Sequence, residues 1–533
     1  MLYLGIDFGT SFTKAAVFDT KKAAGGNSTQ ATIPIKLSSF KGGKVSEYSE
    51  DNMPTVAFVS AKTGHISVGY EALNQRLSPN GTYYCNFKPM LDLVDGNIGY
   101  ERVHYRIVVA ILEYVRSRAM TQMNEEFNDV VLTVPASTRE NSVRWELMKR
   151  AAVQAGFRHV DIIPEPEAAA YCLLNNNLKA QNGNQYIIYD FGGGTFDTSI
   201  IVIRDSQVFV VDESVGSDNE TKWGGIYIDA AIRKDYISRS AKAEKLADML
   251  RGNLPIDMAL EYSDHLRNEP INAKISLSKK TKFVNSFNDY TLTREAFESI
   301  YDVRSMIADT LECSLGLLKS NAEDNLCGDL QHVSTVFLVG GSSRLPMVKA
   351  AWNELKQSKS LDFHIVPCSL DAVACGAARY NFMKPSPGRL VADAVAKLSK
   401  HDYSTAALYI GKASKESDVA KTCMALLYYS CVLTKGKKAY NRALALIGDI
   451  NRPEAYEMKA LMTFLGHGVK KDDGQVKLLL NKIDSDYQGG IYKHLNEVVN
   501  EGDWVHLDDI YHFDAINYIS KLLPLFETEK SDN

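Results

Sequence analysis

The sequence has no long apolar run, no paired cysteines and no strong charge bias. No stretch approaches the roughly 18 uninterrupted apolar residues that a membrane-spanning helix requires. The opening ten residues lack a basic leader, an apolar core and a small-residue cleavage site, so no secretory signal is expected. The 8 cysteines (Cys85, Cys172, Cys313, Cys327, Cys368, Cys375, Cys423 and Cys431) are scattered, and none forms a Cys-x-x-Cys pair. Dispersed cysteines in a chain this long read as reduced core residues, not as a disulfide or zinc framework. With 60 Lys and Arg against 65 Asp and Glu, the formal net charge is −5, and no strongly basic run marks a local patch. Neither nucleic acid nor a membrane is an expected partner, and the expected location is the cytoplasm.

What is present is ordinary in bulk and patterned in detail. Hydrophobic residues make up 45% and charged residues 23%, typical of a globular protein. At 533 residues the chain exceeds what one core supports, so at least two domains are expected. The first two-thirds alternates strand-like runs (2–6, 130–134, 186–189, 199–203, 208–211, 333–339) with helical patterns (105–123, 140–155, 294–319), the rhythm of α/β layering. The breaker cluster Lys384-Pro385-Ser386-Pro387-Gly388 marks a boundary, giving an expected first domain of residues 1–384 and a second of 385–533. Beyond it strand signals vanish and the pattern turns helical. Apolar stretches begin at Ala407, Ala443 and Lys477, a spacing close to the roughly 34-residue tetratricopeptide period, though most consensus positions are absent. A helical-repeat solenoid and an irregular helical bundle both remain open. Leu426-Leu427-Tyr428-Tyr429 reads as helix-packing core, and Lys435, Lys437 and Lys438 as a solvated helix end.

Three motifs carry chemistry. Gly5-Ile6-Asp7-Phe8-Gly9-Thr10-Ser11, followed by Ala15-Ala16-Val17-Phe18, reads as strand, tight glycine turn, strand. Glycine admits backbone N–H groups to an anion, hydroxyls add donors, and an Asp at the strand end can hold water on magnesium. An ordinary hairpin turn explains that segment equally well when it stands alone. The grammar then repeats: Tyr189-Asp190-Phe191-Gly192-Gly193-Gly194-Thr195-Phe196-Asp197 follows a buried strand and precedes another. The repeat suggests a duplicated lobe with one phosphate hairpin from each half, since glycines inside a β-rich region are costly unless something approaches the backbone. In the third motif the strand 336–339 runs into Gly340-Gly341-Ser342-Ser343-Arg344-Leu345-Pro346, a joint where a flat base can pack on backbone and an arginine can stack.

Together these segments resemble the ATPase domain of the seventy-kilodalton heat-shock chaperones, the DnaK family. Val134-Pro135-Ala136, Ile162-Ile163-Pro164-Glu165-Pro166, Gly224-Gly225 and Asp371-Ala372-Val373-Ala374-Cys375-Gly376 extend the similarity collinearly from about residue 2 to 380. The resemblance implies a two-lobed actin-like ATPase with duplicated ribonuclease-H-like lobes, ATP or ADP and Mg2+ as cofactors, and slow hydrolysis; the all-α C-terminal domain, with tetratricopeptide-like repeats as one alternative, is read from the helical pattern of the tail and not from the resemblance. It implies Gly9, Thr10, Ser11 and Phe12 along the phosphates, with Gly192, Gly193, Gly194 and Thr195 opposite. Lys88, within Tyr83-Tyr84-Cys85-Asn86-Phe87-Lys88, falls where the family has its catalytic lysine. By the same resemblance Glu165, Asp197 and Thr195 complete the catalytic set, and Asp7 and Asp190 hold hydrated magnesium. Gly224 and Gly225 follow the second phosphate loop. Lys274 and Ser278 belong to the helix that closes over the base, and Gly340, Gly341, Ser342, Ser343, Arg344 and Asp371 border the adenosine.

The sequence also departs from that pattern. Ile271 stands where the family has a glutamate, with Glu269 nearby, and the segment between Asn219 and Trp223 is atypical. The segment 384–390 is basic and proline-rich where the family has an acidic, leucine-containing linker, and the helical tail replaces the peptide-gripping β-sandwich. His401, His467, His494, His506 and His512 show no ligand spacing, so no metal beyond magnesium is expected. Three functions follow as alternatives. One is a nucleotide-driven chaperone-like switch whose tail binds client or partner proteins. A second is a nucleotide-binding scaffold or filament protein related to actin. A third is a small-molecule kinase of the same fold, for which no sugar or acid pocket motif is visible.

Overall fold

The computed structural model describes residues 1–24, 31–38, 51–92, 103–136, 138, 142–173, 183–205, 207–215, 223–414, 417–434, 436–484, 486–487, 489–501, 505 and 507–525. The segment 219–222, Lys435 and His506 lie outside the described residues, so the readings made on them are not addressed. The chain divides into two compact units, one of residues 1–208, 212–317 and 330–384, the other of 209–211, 318–329 and 385–533.

The first unit is built on two mixed sheets. One contains β1 (Leu2–Phe8), β2 (Phe12–Asp19), β3 (Thr32–Pro34), β4 (Asn52–Pro54), β5 (Asp129–Val134) and β6 (His159–Pro164), in the order β3-β2-β1-β5-β6 with β4 also on β2. The other contains β7 (Gln185–Phe191), β8 (Phe196–Arg204), β9 (Gln207–Val215), β10 (Val333–Val339) and β11 (His364–Pro367), in the order β9-β8-β7-β10-β11. The two orders are the same. In each sheet an antiparallel hairpin (β1/β2, β7/β8) is followed by parallel neighbours (β5 and β6, β10 and β11). Every residue of β7 is buried, which is why Tyr186-Ile187-Ile188-Tyr189 reads as a continuous apolar run rather than an alternation.

Helix α1 (Glu165–Leu173) starts where β6 ends, and α2 (Gly225–Arg239) follows the second hairpin. Helix α3 (Ile256–Leu277) and α4 (Ala372–Met383) complete the elements that position the site. Helices α1 and α4 pack on each other, and α4 lies on β1. A Cβ at Gly376 would run into the Ala168 carbonyl, so this close crossing requires glycine.

Two helical expectations change at their ends or middles. Of the pattern 140–155, residues 140 and 141 lie outside the described residues; Val143–Gln154 is helical, and the Ser142 side chain accepts from Trp145 N and caps it. The pattern 294–319 splits into Arg294–Glu298 and Tyr301–Glu323. At the break Ser299 Oγ donates to Ala296 O at 2.8 Å, the local side-chain bond by which serine competes with helix continuation.

The second unit's described C-terminal part is helical: α5 (Pro387–Leu398), α6 (Tyr403–Ser414), α7 (Asp418–Tyr429), α8 (Gly436–Ile447), α9 (Pro453–Leu465) and α10 (Asp473–Leu480), then shorter helices to Ala515–Leu522. They pack as successive pairs, α5 with α6, α7 with α8, α9 with α10. The apolar stretches beginning at 407, 443 and 477 fall on the second helix of each pair. Leu426, Leu427 and Tyr428 are buried. Lys438, in the first turn of α8, stays partly solvated, and its Nζ also reaches buried Asp324 at 2.9 Å and exposed Glu323 at 3.0 Å. Glu457, 1% exposed, accepts from Ile491 N, Tyr492 N, Tyr487 OH and Tyr518 OH, a satisfied buried hub. Among the described residues no helix is long and apolar enough to cross a membrane.

Candidate functional site

The two hairpins of the first unit share one register. In β1/β2, Asp7 lies opposite Lys14 and Phe8 opposite Thr13, leaving Gly9 to Phe12 as the turn. In β7/β8, Asp190 lies opposite Asp197 and Phe191 opposite Phe196, leaving Gly192 to Thr195 as the turn. The turns meet face to face. A Cβ at Gly193 would collide with Ser11 Oγ, and one at Gly194 with Thr10 Oγ1. Glycine is therefore required by the approach of the turns to each other.

Around the hairpins opens a cavity of about 1250 Å³. Of the residues singled out in the sequence, Asp7, Gly9, Thr10, Ser11, Phe12, Lys88, Glu165, Asp190, Gly192, Gly193, Gly194 and Thr195 line it. So do Lys274, Ser278, Gly340, Gly341, Ser342 and Arg344. Ile271 lines it, while Glu269 is buried off the wall.

Asp197, Gly224, Gly225, Ser343 and Asp371 are not on that wall. Asp197 is 1% exposed behind its hairpin, with Oδ1 accepting from Ala136 N at 3.0 Å. Gly224 packs on Gly194, and Gly225 N donates to Gly192 O at 3.1 Å, so the pair braces the second turn. Ser343 Oγ donates to Gly340 O at 2.8 Å. Asp371 precedes α4 and accepts from Ser369 Oγ.

The third motif closes the same neighbourhood. Ser342 Oγ donates to Gly192 O at 2.7 Å and ties the β10 loop to the second hairpin. Gly340 has φ +83°, and a Cβ there would meet the Phe191 carbonyl, so conformation and contact both demand glycine. From α3, Lys274 Nζ reaches Asp229 Oδ1 at 2.8 Å and donates to Gly225 O at 3.0 Å.

Charge converges at the strand ends. Lys88 Nζ pairs with Glu165 Oε1 at 2.5 Å, both nearly buried. Burial, then the charges of Glu165, Asp197 and Asp7, push the Asp190 carboxyl well above the usual carboxylate range, against the opposing charge of Lys14. Asp197 is pushed up to about 7 by burial and Glu165, against bonds from Thr195 and Ala136 and the charge of Lys88. Carboxyls raised in this way mark a place where a cation lowers the free energy of the ionised forms. Hard oxygen donors suit magnesium, which commonly keeps several waters and takes one or two protein carboxylates plus phosphate oxygens. Asp7 and Asp190 are oxygen donors of this kind, and both line the cavity at the bases of the two turns.

Lys14 was missed in the sequence. Its Nζ lies 3.4 Å from Asp7 Oδ2, and the side chain lines the cavity. The signal was available: a four-residue turn at Gly9-Thr10-Ser11-Phe12 in an antiparallel hairpin puts Lys14 opposite Asp7. Arg76 and Arg267, also on the wall, were missed too; both pair with Asp264, and nothing in their local sequence announces a site.

The sequence profile of the family described as Hsp70 protein matches residues 95–384. The chaperone protein DnaK of Picrophilus torridus is 30% identical over 392 residues, covering 70% of this chain and 57% of its own. The chaperone protein DnaK of Mycoplasmoides gallisepticum is 29% identical over 355 residues, covering 63% of this chain and 55% of its own. A chaperone protein HscA homolog of Rickettsia typhi is 30% identical over 292 residues, covering 54% and 43% respectively. The chain spans about half the length of the curated relatives it matches. With the profile covering more than half of its residues, the chain belongs to the Hsp70 family.

Proposed function

We propose that the first unit binds ATP with magnesium and hydrolyses it slowly, and that the chain works as a chaperone-like switch in the cytoplasm. The observation that carries this reading is the facing pair of glycine turns with Asp7 and Asp190 at their bases, opening on one cavity. Members of the Hsp70 family are ATPases, which favours ATP over other phosphate ligands for such a site.

In this reading backbone N–H groups and hydroxyls of residues 9–12 and 192–195 hold the phosphates. Asp7 and Asp190 hold magnesium through water. The ion, when bound, neutralises phosphate charge. Lys88 stabilises charge developing on the terminal phosphoryl group, and its pairing with Glu165 fixes its position. Asp197 acts from behind the turn: its bond from Ala136 N and its link to Thr195 hold the loop that faces the phosphates and orient water there. Lys274 and Ser278 from α3, and Gly340 to Arg344, border the nucleoside, with Ile271 replacing a polar contact by an apolar one. Gly224, Gly225, Ser343 and Asp371 act through the elements they brace.

The second unit supplies the partner surface. Its successive helix pairs form tetratricopeptide-type repeats that bind a client or partner protein in place of a peptide-gripping β-sandwich. Nucleotide then drives the switch to the extent that ATP binds one conformation better than another.

The test is single-turnover ATP hydrolysis with magnesium by the intact chain and by Lys88→Ala. The expected result is retained ATP binding with a rate lower by roughly two orders of magnitude, the loss that removing one charge-stabilising group causes. An intact chain that binds no ATP, or binds it and never turns it over, overturns the reading.

A further inference from the structure

The two hairpins place opposite charges at one register position. Asp190 faces a second carboxylate, Asp197, whereas Asp7 faces an ammonium, Lys14. The cations near the cavity also differ in how firmly they are held. Lys88 is locked on Glu165 at 2.5 Å, and Lys274 is held by Asp229 at 2.8 Å and by the Gly225 carbonyl at 3.0 Å. Lys14 lies 3.4 Å from Asp7 Oδ2, the longest of these pairs.

Resting on the nucleotide reading above, we propose that Lys14 is both the occupant of the Asp7 carboxylate when nucleotide is absent and a phosphate ligand when metal–nucleotide is bound. The physical reason is that an ammonium and a divalent ion cannot share one edge of a carboxylate without a strong repulsion between them. A bare hydrated metal ion therefore competes with Lys14 for Asp7, and nothing it brings replaces the weakened pair. A metal ion that arrives with nucleotide brings anionic oxygens to the mouth of the same hairpin, and the freed ammonium pairs with one of them. Only the Phe8–Thr13 pair separates Lys14 from the turn formed by Gly9 to Phe12, so its flexible stem keeps the charge beside that turn. The residue thus disfavours metal alone and favours metal with nucleotide. The second hairpin cannot do this, because Asp197 stands at the equivalent position.

The experiment compares the full chain with Lys14→Met and Lys14→Arg. Mn2+ binding without nucleotide is followed by electron paramagnetic resonance, and Mg-ADP binding by calorimetry. Lys14→Met is expected to bind Mn2+ alone several-fold more tightly and Mg-ADP about tenfold more weakly, as loss of one charge-assisted contact implies. Lys14→Arg keeps the charge and is expected to restore Mg-ADP affinity to within a few-fold. The opposite signs are the signature, since a merely structural role would move both affinities the same way. Shifts of equal sign, or no shift in either, overturn the proposal. Should Lys14→Met fail to fold, Lys14→Gln carries the same comparison. A native chain that binds no Mg-ADP overturns the nucleotide reading, and the Mn2+ arm still decides whether Lys14 guards Asp7.

Discussion

The hairpins β1/β2 and β7/β8 have matching strand pairing, matching Asp–glycine–Thr order and different electrostatics. In the first, Asp7 has a cation 3.4 Å away. In the second, burial, and after it the charges of Glu165, Asp197 and Asp7, raise the pKa of Asp190, against the charge of Lys14. Duplication of a backbone motif thus does not duplicate its chemistry. One changed residue seven positions after the Asp turns a balanced site into an electron-rich one, and the two halves are unequal in what they ask of a bound cation.

The comparison breaks most severely if the turns are forced apart. Gly194→Val places branched carbons against Thr10, and nucleotide affinity measured by calorimetry should fall by about a hundredfold or more, because the phosphate donors of both turns lose their alignment. An unchanged affinity would show that the turns do not act together.

Next in size are the two metal carboxylates. Asp7→Asn and Asp190→Asn should each weaken Mg-ATP binding by about tenfold, roughly the loss of one charged contact. Chelation of magnesium by EDTA should then weaken ATP binding in the native chain more than in either variant. Equal sensitivity in all three proteins would mean that neither carboxylate addresses the metal.

The smallest effect separates the hairpins by stability. Without ligands, Asp190→Asn removes a buried carboxyl crowded by Glu165, Asp197 and Asp7, and should stabilise the fold by about 1 kcal/mol in a denaturant melt. Asp7→Asn removes the partner of Lys14 and should destabilise it or leave it unchanged. The same sign and size in both variants would erase the asymmetry.

Much of the first unit was legible because its signals are local. Fully buried strands are written as apolar runs, and the recurring Asp–glycine–Thr turns announced two hairpins. Tertiary contacts were not written there. The 294–319 helical pattern contains no strong breaker, yet it splits at Ser299 through a side-chain bond to Ala296. The ion pairs of partly solvated Lys438 were not legible because its partners, Glu323 and Asp324, lie over a hundred positions away in sequence. Glu457 carries no sequence mark of a core position, and only its four hydrogen bonds explain a carboxyl kept 1% exposed. Arg76 and Arg267 likewise reach the cavity wall through their shared partner Asp264.

The sequence by itself determined which backbone turns form, because glycine placement and apolar periodicity act within a few residues of each other. Its length and composition likewise determined that more than one core is present. Only the tertiary structure decided that Gly193 and Gly194 press on Ser11 and Thr10, that Asp197 withdraws behind its turn, and that Lys88 is held by Glu165. Those outcomes depend on packing and charge between segments far apart in the chain, where distance and burial, not residue type, set the strength of each interaction.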